Sequence, residues 1–256
     1  MRIITCNIRG SNMNDGDNGW QFRKELCIKI LHKYQPDIIC FQEMCADQHD
    51  DISVSFPDFD YYGISSDTTG MDLFNSIFFN SNKFSLITAC GYWLSETPHI
   101  PGSKSWDSSC IRFANWARLI FKKTLREFRL INTHLDHVSQ TARENQARLI
   151  CEDANVFPDD YPQILTGDLN CNNTNPAIQL IKKQGWVDTY ERFSGTDDNP
   201  QTFHEFIGGG CKDNPGKIDW IFMRGIVETR GAGIIRDSEN GRYPSDHYFV
   251  YADIEL

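Results

Sequence analysis

Three strand-like runs, FSLITACGYW (84–93), ARLIFKK (117–123) and FRLINTHL (128–135), follow one another with no long helical segment between them. Strands joined this way pair antiparallel, because parallel neighbours need a long crossover. The start of the chain reads differently. RIITCNI (2–8) is a strand and WQFRKELCIKILHKYQ (20–35) an amphipathic helix, with Phe22, Leu26, Ile30 and Leu31 at helical spacing. Pro36 ends that helix, and DIICFQE (37–43) is a buried strand. Both habits in one chain predict an α/β fold of mixed sheets with helices outside.

Further strands are expected at NSIFFN (75–80), QILTGDLN (163–170), KIDWIFMR (217–224), VETRGAGII (227–235) and HYFVYADIEL (247–256), and helices at Gln140–Asn155 and Pro176–Gln184. No repeat or low-complexity tract interrupts the 256 residues, so one domain over 1–256 is expected. Ser95–Ser109 reads as a long loop, a kind often functional.

Composition narrows the function classes. A net charge of −10 argues against a broad basic surface for gripping nucleic acid, while leaving room for a local phosphate site or for acids gathered around a cation. Nine cysteines, an odd number with no CxxC, suggest neither a zinc finger nor a disulfide framework. MRIITCNIRG lacks the apolar stretch of a signal peptide, and no later run is long enough to span a membrane. The expectation is a cytoplasmic protein with no membrane association and no obligate protein partner.

The chemistry-bearing residues sit where apolar runs end. Asn7 ends the first strand, Glu43 the second, His134 follows FRLINT, and Asp168 with Asn170 closes QILTGDLN. In open α/β sheets ligands gather beyond the carboxyl ends of strands. Asp219 lies within KIDWIFM, and Asp246 and His247 precede the last strand; if those strands run the opposite way, their beginnings share the same rim. Each residue has a bland alternative: Asn7 as a turn cap, Glu43 as the flank of a short helix, GDLN as a tight turn. Asp219 is harder to dismiss, since a carboxylate between Ile218 and Trp220 is costly to bury without a partner. His247 is the candidate partner, an Asp fixing the tautomer of an imidazole and favouring its charged form.

Taken together, TCNI, CFQE, NTHL, LTGDLN, KIDWIF and PSDHYFV resemble the motifs of the endonuclease/exonuclease/phosphatase superfamily, the deoxyribonuclease-I-like metal-dependent phosphoesterases. They come in that family's order and spread over nearly the whole chain. The resemblance implies a four-layer α/β sandwich of two mixed sheets flanked by helices, and a metal-dependent hydrolase cleaving a phosphodiester or phosphomonoester by in-line attack of water. It implies Mg²⁺, with Mn²⁺ as a substitute, held by Glu43 with Asn7 beside it and Asp246 contributing weakly or through water. Asp168 then orients or deprotonates the water, Asn170 assists, and His134 and His247 donate to phosphoryl oxygens, with Asp219 bracing His247. Some nuclease branches carry an acid two positions after the first asparagine. This chain has Arg9 there, which favours one tightly held cation over two and makes Arg9 either a substrate contact or an ion-paired surface residue.

Other readings fit less well. A metallo-β-lactamase site wants HxHxDH, but Asn132 stands at the first histidine position of NTHLDH. HEFIG at His204 has Gly208 where HExxH needs its second histidine, and neither a Gly-Asn-His segment nor GxSxG occurs. A non-catalytic binding module on the same fold is the alternative from another class; the presence of Glu43, Asp168 and His247 weighs against it. The stretch from Trp93 to Trp116 offers Trp106 and Arg112 as substrate contacts, a ring to stack and a guanidinium to grip phosphate, whereas Trp116 adjoins a strand and equally suits packing. It resembles a bacterial branch of the superfamily. The substrate class stays open between a nuclease, acting on a nucleotide or nucleic-acid end, and a small-molecule phosphatase.

Overall fold

The computed structural model describes residues 1–65, 75–196, 200–212 and 215–256. Strands β1 (Arg2–Asn7), β2 (Ile38–Gln42), β3 (Phe59–Tyr62), β4 (Ile77–Asn80), β11 (Glu228–Ile235) and β12 (Phe249–Glu255) form one sheet in the order β11-β12-β1-β2-β4-β3. A second contains β5 (Phe84–Trp93), β6 (Phe113–Phe121), β7 (Arg126–His134), β8 (Gln163–Asp168), β9 (Val187–Asp188) and β10 (Asp219–Arg224), in the order β5-β6-β7-β8-β10-β9. Each sheet has one parallel pair, β1 with β2 and β7 with β8, and its other pairs are antiparallel. The three consecutive strands β5, β6 and β7 pair antiparallel, as expected of strands with no helix between them.

The period of two along each strand sorts side chains between cores. Ile3, Ile38 and Cys40 of the first sheet meet Leu119, Leu130, Ile164 and Ile221 of the second in the layer between them. The alternate residues Ile4, Cys6, Ile39 and Phe41 pack with Ile30 and Leu31 of α1 (Trp20–Tyr34) and Ile52 of α2 (Ala46–Ser55). On the far side, Ile131, Leu165, Trp220 and Phe222 pack with Ala147 and Ile150 of α3 (Gln140–Ala154) and Ile178 and Ile181 of α4 (Pro176–Lys183). The result is the expected two mixed sheets flanked by helices. No helix among the described residues is long and apolar enough to cross a membrane.

Differences from the sequence reading are local. Helix α3 ends one residue early, α4 likewise, and β6 begins at Phe113 rather than 117 because its ladder with β5 starts at Phe113 opposite Trp93. Asn115 is accommodated inside that strand because its Nδ2 donates to the Asn75 carbonyl. The edge strand β3, the two-residue β9 and the short helix α5 (Thr189–Ser194) carry too little periodicity to be anticipated.

This topology prepares a rim. The parallel pairs end together there, Asn7 opposite Gln42 and His134 opposite Asp168. Antiparallel β10 begins there, with Asp219 opposite Asp168, and the segment leading into β12 arrives beside it. Gly167 makes the close approach possible: a Cβ on it would lie 2.0 Å from the Thr133 carbonyl oxygen.

Candidate active site

Towards the rim the inter-sheet layer changes from hydrocarbon to neutral polar to ionisable. Beyond Ile3, Cys40, Leu130 and Ile164, the buried Thr5, Gln42, Asn132 and Thr166 bond to one another, with Gln42 Nε2 donating to Asn132 Oδ1 at 2.7 Å. One step further along the same faces stand Asn7, His134, Asp168 and Asp219, all 5% exposed or less. Glu43 follows an inward-pointing Gln42, and a left-handed backbone (φ 60) brings its carboxylate back to Asn7. Asn170 (φ 49) is turned similarly after Asp168. Such a conformation is unfavourable for a glutamate and is held by its surroundings.

Asp168 stands at the centre. Its Oδ1 accepts from the Asn170 backbone N–H at 2.9 Å, and its Oδ2 accepts from Asn7 Nδ2 at 3.0 Å. That oxygen also lies 3.4 Å from His134 Nε2 and 3.8 Å from His247 Nε2. Asn7 Nδ2 reaches Glu43 Oε1 at 3.0 Å, while Asn7 Oδ1 accepts from the Arg9 backbone N–H. The expected asparagine beside Glu43 is therefore present, with its nitrogen towards the two carboxylates. His247 Nδ1 sits 2.9 Å from Asp219 Oδ2.

Protonation follows from these neighbours. Burial opposes charge on His247, but the Asp219 carboxylate, with Asp168 and Asp246 behind it, outweighs burial and raises the imidazole well above its ordinary value. His134 goes the other way: burial first, then the Arg112, His247 and His137 charges, hold it well below. Asn170 Nδ2 donates to the Leu135 carbonyl and faces His134 Nε2 at 3.0 Å, so that ring nitrogen accepts and the proton sits on Nδ1. Burial and then the nearby Asp219 push Asp168 up to about 7, against the opposing His247 charge and the bonds from Asn170 and Asn7. Asp246 is also raised, by burial, with His247 opposing and Glu43 reinforcing.

Together Glu43, His134, Asp168, Asn170, Asp246 and His247 line one cleft of about 480 Å³, with Asp219 behind His247 and Asn7 behind Glu43. Both Arg9 and Arg112 line it too. Arg9 is engaged with Asp15 through two bonds of 3.0 and 2.9 Å and has Asp246 Oδ2 at 3.6 Å. Trp106 is not among the lining residues; its carbonyl accepts from Ser139 Oγ, and it borders a separate shallow depression. Trp116 packs against the core with Arg129 over its ring. Sequence reasoning missed Phe203 and Ile218 in the wall, Phe203 with its ring centroid 5.1 Å from that of His247. His137 also lines the cleft. Residues 202–204 lace the two sheets, Thr202 accepting from Ile218, Asp219 and Tyr248 and His204 donating to Asp246, and no residue pattern announces this.

The cluster suits a hard cation. Glu43 Oε2 is buried with no hydrogen-bond partner, an expensive state unless something positive meets it. One ligand atom each from Glu43, His134 and Asp168 lies within 4.8 Å of the others, and Asp246 neighbours Glu43 closely enough to raise its own pKa.

Comparison with known proteins agrees with this geometry. Residues 4–247 match the model of the Endonuclease/Exonuclease/phosphatase family. An endonuclease/exonuclease/phosphatase from Bacteroides vulgatus is 30% identical and superposes with a TM-score of 0.91, covering 100% of this chain and 98% of that one. A mannosyl-6-phosphatase from Bacteroides thetaiotaomicron is 28% identical with a TM-score of 0.90 over 100% of both chains. An uncharacterized protein of Acanthamoeba polyphaga mimivirus is 29% identical across 100% of this chain and 46% of its own length, so the chain spans about half of that relative. Two mixed sheets flanked by helices, and a match running from the first strand to His247, have one common explanation: the chain belongs to the Endonuclease/Exonuclease/phosphatase family.

Proposed function

We propose that the chain is a Mg²⁺- or Mn²⁺-dependent phosphoesterase that hydrolyses a phosphoester of modest size by in-line attack of water. The observation that carries this reading is the setting of Asp168: one oxygen held by the Asn170 N–H, the other facing two imidazoles of opposite protonation state. A buried carboxyl that titrates near neutrality is poised to accept a proton from water.

In this reading Asp168 Oδ2 orients the water and takes its proton. The His247 imidazolium donates through Nε2 to a non-bridging phosphoryl oxygen, its other nitrogen fixed by Asp219. His134 donates through Nδ1, its tautomer set by Asn170. Asn7 steadies Glu43 and Asp168 with one amide. A divalent cation held by Glu43, with Asp246 in support, supplies neutralisation of the charge on the phosphoryl oxygens.

A net charge of −10 disfavours a long polyanion as substrate, and likeness to a mannosyl-6-phosphatase favours a small phosphorylated molecule over a nucleic-acid end. The test is hydrolysis of chromogenic phosphomonoester and phosphodiester substrates with Mg²⁺ or Mn²⁺, against chelator and Asp168→Asn. Turnover abolished by both treatments supports the proposal. A folded protein that turns over neither substrate, or whose turnover survives Asp168→Asn, overturns it.

A further inference from the structure

We infer that Arg112 selects dianionic phosphomonoesters over monoanionic phosphodiesters, and that Asp136 is the positioning residue that delivers it to the cleft. The inference rests on the phosphoesterase reading and names the substrate class of that same site.

The two arginines of the cleft differ in what they have left to give. Arg9 is committed to Asp15 and faces Asp246. Arg112 makes no ion pair among the described residues; its Nη2 donates to His137 Nδ1 at 3.3 Å, and its Nε is buried without any partner. The guanidinium therefore lines the cleft with its charge not neutralised by a carboxylate, and an anion there meets an uncommitted cation. Arg112 lines the same cleft as His134 and His247, the groups that face phosphoryl oxygens in this reading.

Asp136 explains how the loop comes to be there. Its Oδ2 accepts from Ser108 Oγ at 3.0 Å, Ser109 N at 2.8 Å, Ser109 Oγ at 2.7 Å and Cys110 N at 3.3 Å. Its Oδ1 accepts from Val138 N at 2.9 Å and Ser139 N at 2.6 Å. One fully buried carboxylate therefore staples the segment two residues before Arg112 to the turn that carries His137. Burial works against its charge, but the bonds from Ser109, Ser139, Val138 and Ser108 prevail and hold it below the usual carboxylate range.

The selectivity follows from charge. A phosphomonoester carries about −1.5 to −2 at pH 7, its second ionisation lying near pH ~6. A diester carries one negative charge and has an ester group where the monoester has its third free oxygen. The extra oxygen and charge need an extra donor, and a planar guanidinium suits phosphate geometry.

Two measurements test this on the wild type, Arg112→Gln, Arg112→Lys and Asp136→Asn. The first is kcat/KM for p-nitrophenyl phosphate and bis-p-nitrophenyl phosphate with Mg²⁺. The second is calorimetric binding of inorganic phosphate and of dimethyl phosphate, which needs no turnover. Arg112→Gln is expected to lose at least about tenfold more with the monoester and inorganic phosphate than with the diesters, as for one charge-assisted bond. The loss appears mainly in KM, Arg112→Lys recovers part of it, and Asp136→Asn shifts the ratio the same way. Equal losses for both charge classes overturn the assignment while wild-type turnover leaves the phosphoesterase reading standing. Absence of wild-type turnover removes that reading, and the phosphate-to-dimethyl-phosphate ratio still decides the role of Arg112.

Discussion

Asp219 and His247 meet across the two sheets: Asp219 opens β10 of one, His247 precedes β12 of the other, and 2.9 Å separates Oδ2 from Nδ1. The pair keeps the imidazole charged where an isolated histidine is neutral. Because the folded value is raised, the stabilisation is fully present below the ordinary histidine pKa and is lost as pH rises through the raised one. Asp219→Asn is expected to lower kcat by about 10²–10³, in line with losing one donor to a developing charge. The alkaline limb of its pH–rate profile moves to lower pH, as His247 loses its proton earlier. A profile that keeps its limb in place refutes the role of Asp219.

Asp168 carries linkage of the same sign, over a lower pH window. Its carboxyl titrates near 7 in the fold against an ordinary 3.8, so the native state binds the proton more tightly and stability falls as pH rises between those values. Asp168→Asn removes that cost together with the proton acceptor. In chelator the variant is expected to melt above the wild type at pH 8, with the gap closing towards pH 4, while activity in Mg²⁺ falls by about 10³. A melting-temperature difference that does not change with pH contradicts the raised pKa.

How much of this was legible in the sequence depends on the range of the signal. Asn7, His134 and Asp168 were readable because each ends an apolar run, and strand ends mark where ligands gather; Asp219 was readable because a carboxylate between Ile218 and Trp220 demands a partner. The partnership of Asp219 with His247 followed from charge alone. Arg9 was ambiguous because its partner Asp15 lies in a stretch without periodicity. Asp136 stood in plain view in THLDH, yet its role depends on residues 108–110, brought there by a loop with no pattern of its own. Trp106 looked like a binding ring because a tryptophan in a polar loop suggests one, but loop direction is not encoded in composition, and Arg112 and His137 reach the cleft instead.

Glu43 offers a test of cation binding that needs no substrate. Its unpartnered Oε2 implies that a divalent ion stabilises the native state. At a metal concentration ~100 times Kd, the wild type is expected to gain about 2.7 kcal/mol, read as a rise in melting temperature with Mg²⁺ or Mn²⁺. Glu43→Gln should lose most of this gain and most of its turnover, with little change in chelator. An equal metal-induced rise in the variant excludes Glu43 as a ligand.

Arg23 joins two segments of the site without entering it. Fully buried at the start of α1, it donates to the carbonyls of Ile8 at 2.7 Å, Arg9 at 2.6 Å, Pro244 at 2.8 Å and Asn18 at 2.9 Å. The first two follow Asn7, and the third precedes Ser245, Asp246 and His247. Among the described residues Arg23 is the cation bonded to these four oxygens, and leaving them unpaired in the interior costs each a desolvation penalty. Arg23→Gln is expected to destabilise the fold by about 3 kcal/mol, measured by denaturant unfolding. Well below its melting temperature the folded variant should show a lower kcat with little change in KM, since the shift moves the groups flanking the reacting phosphate and leaves Arg112 in place. A variant equally destabilised but with unaltered kcat would mean that Arg23 serves stability alone.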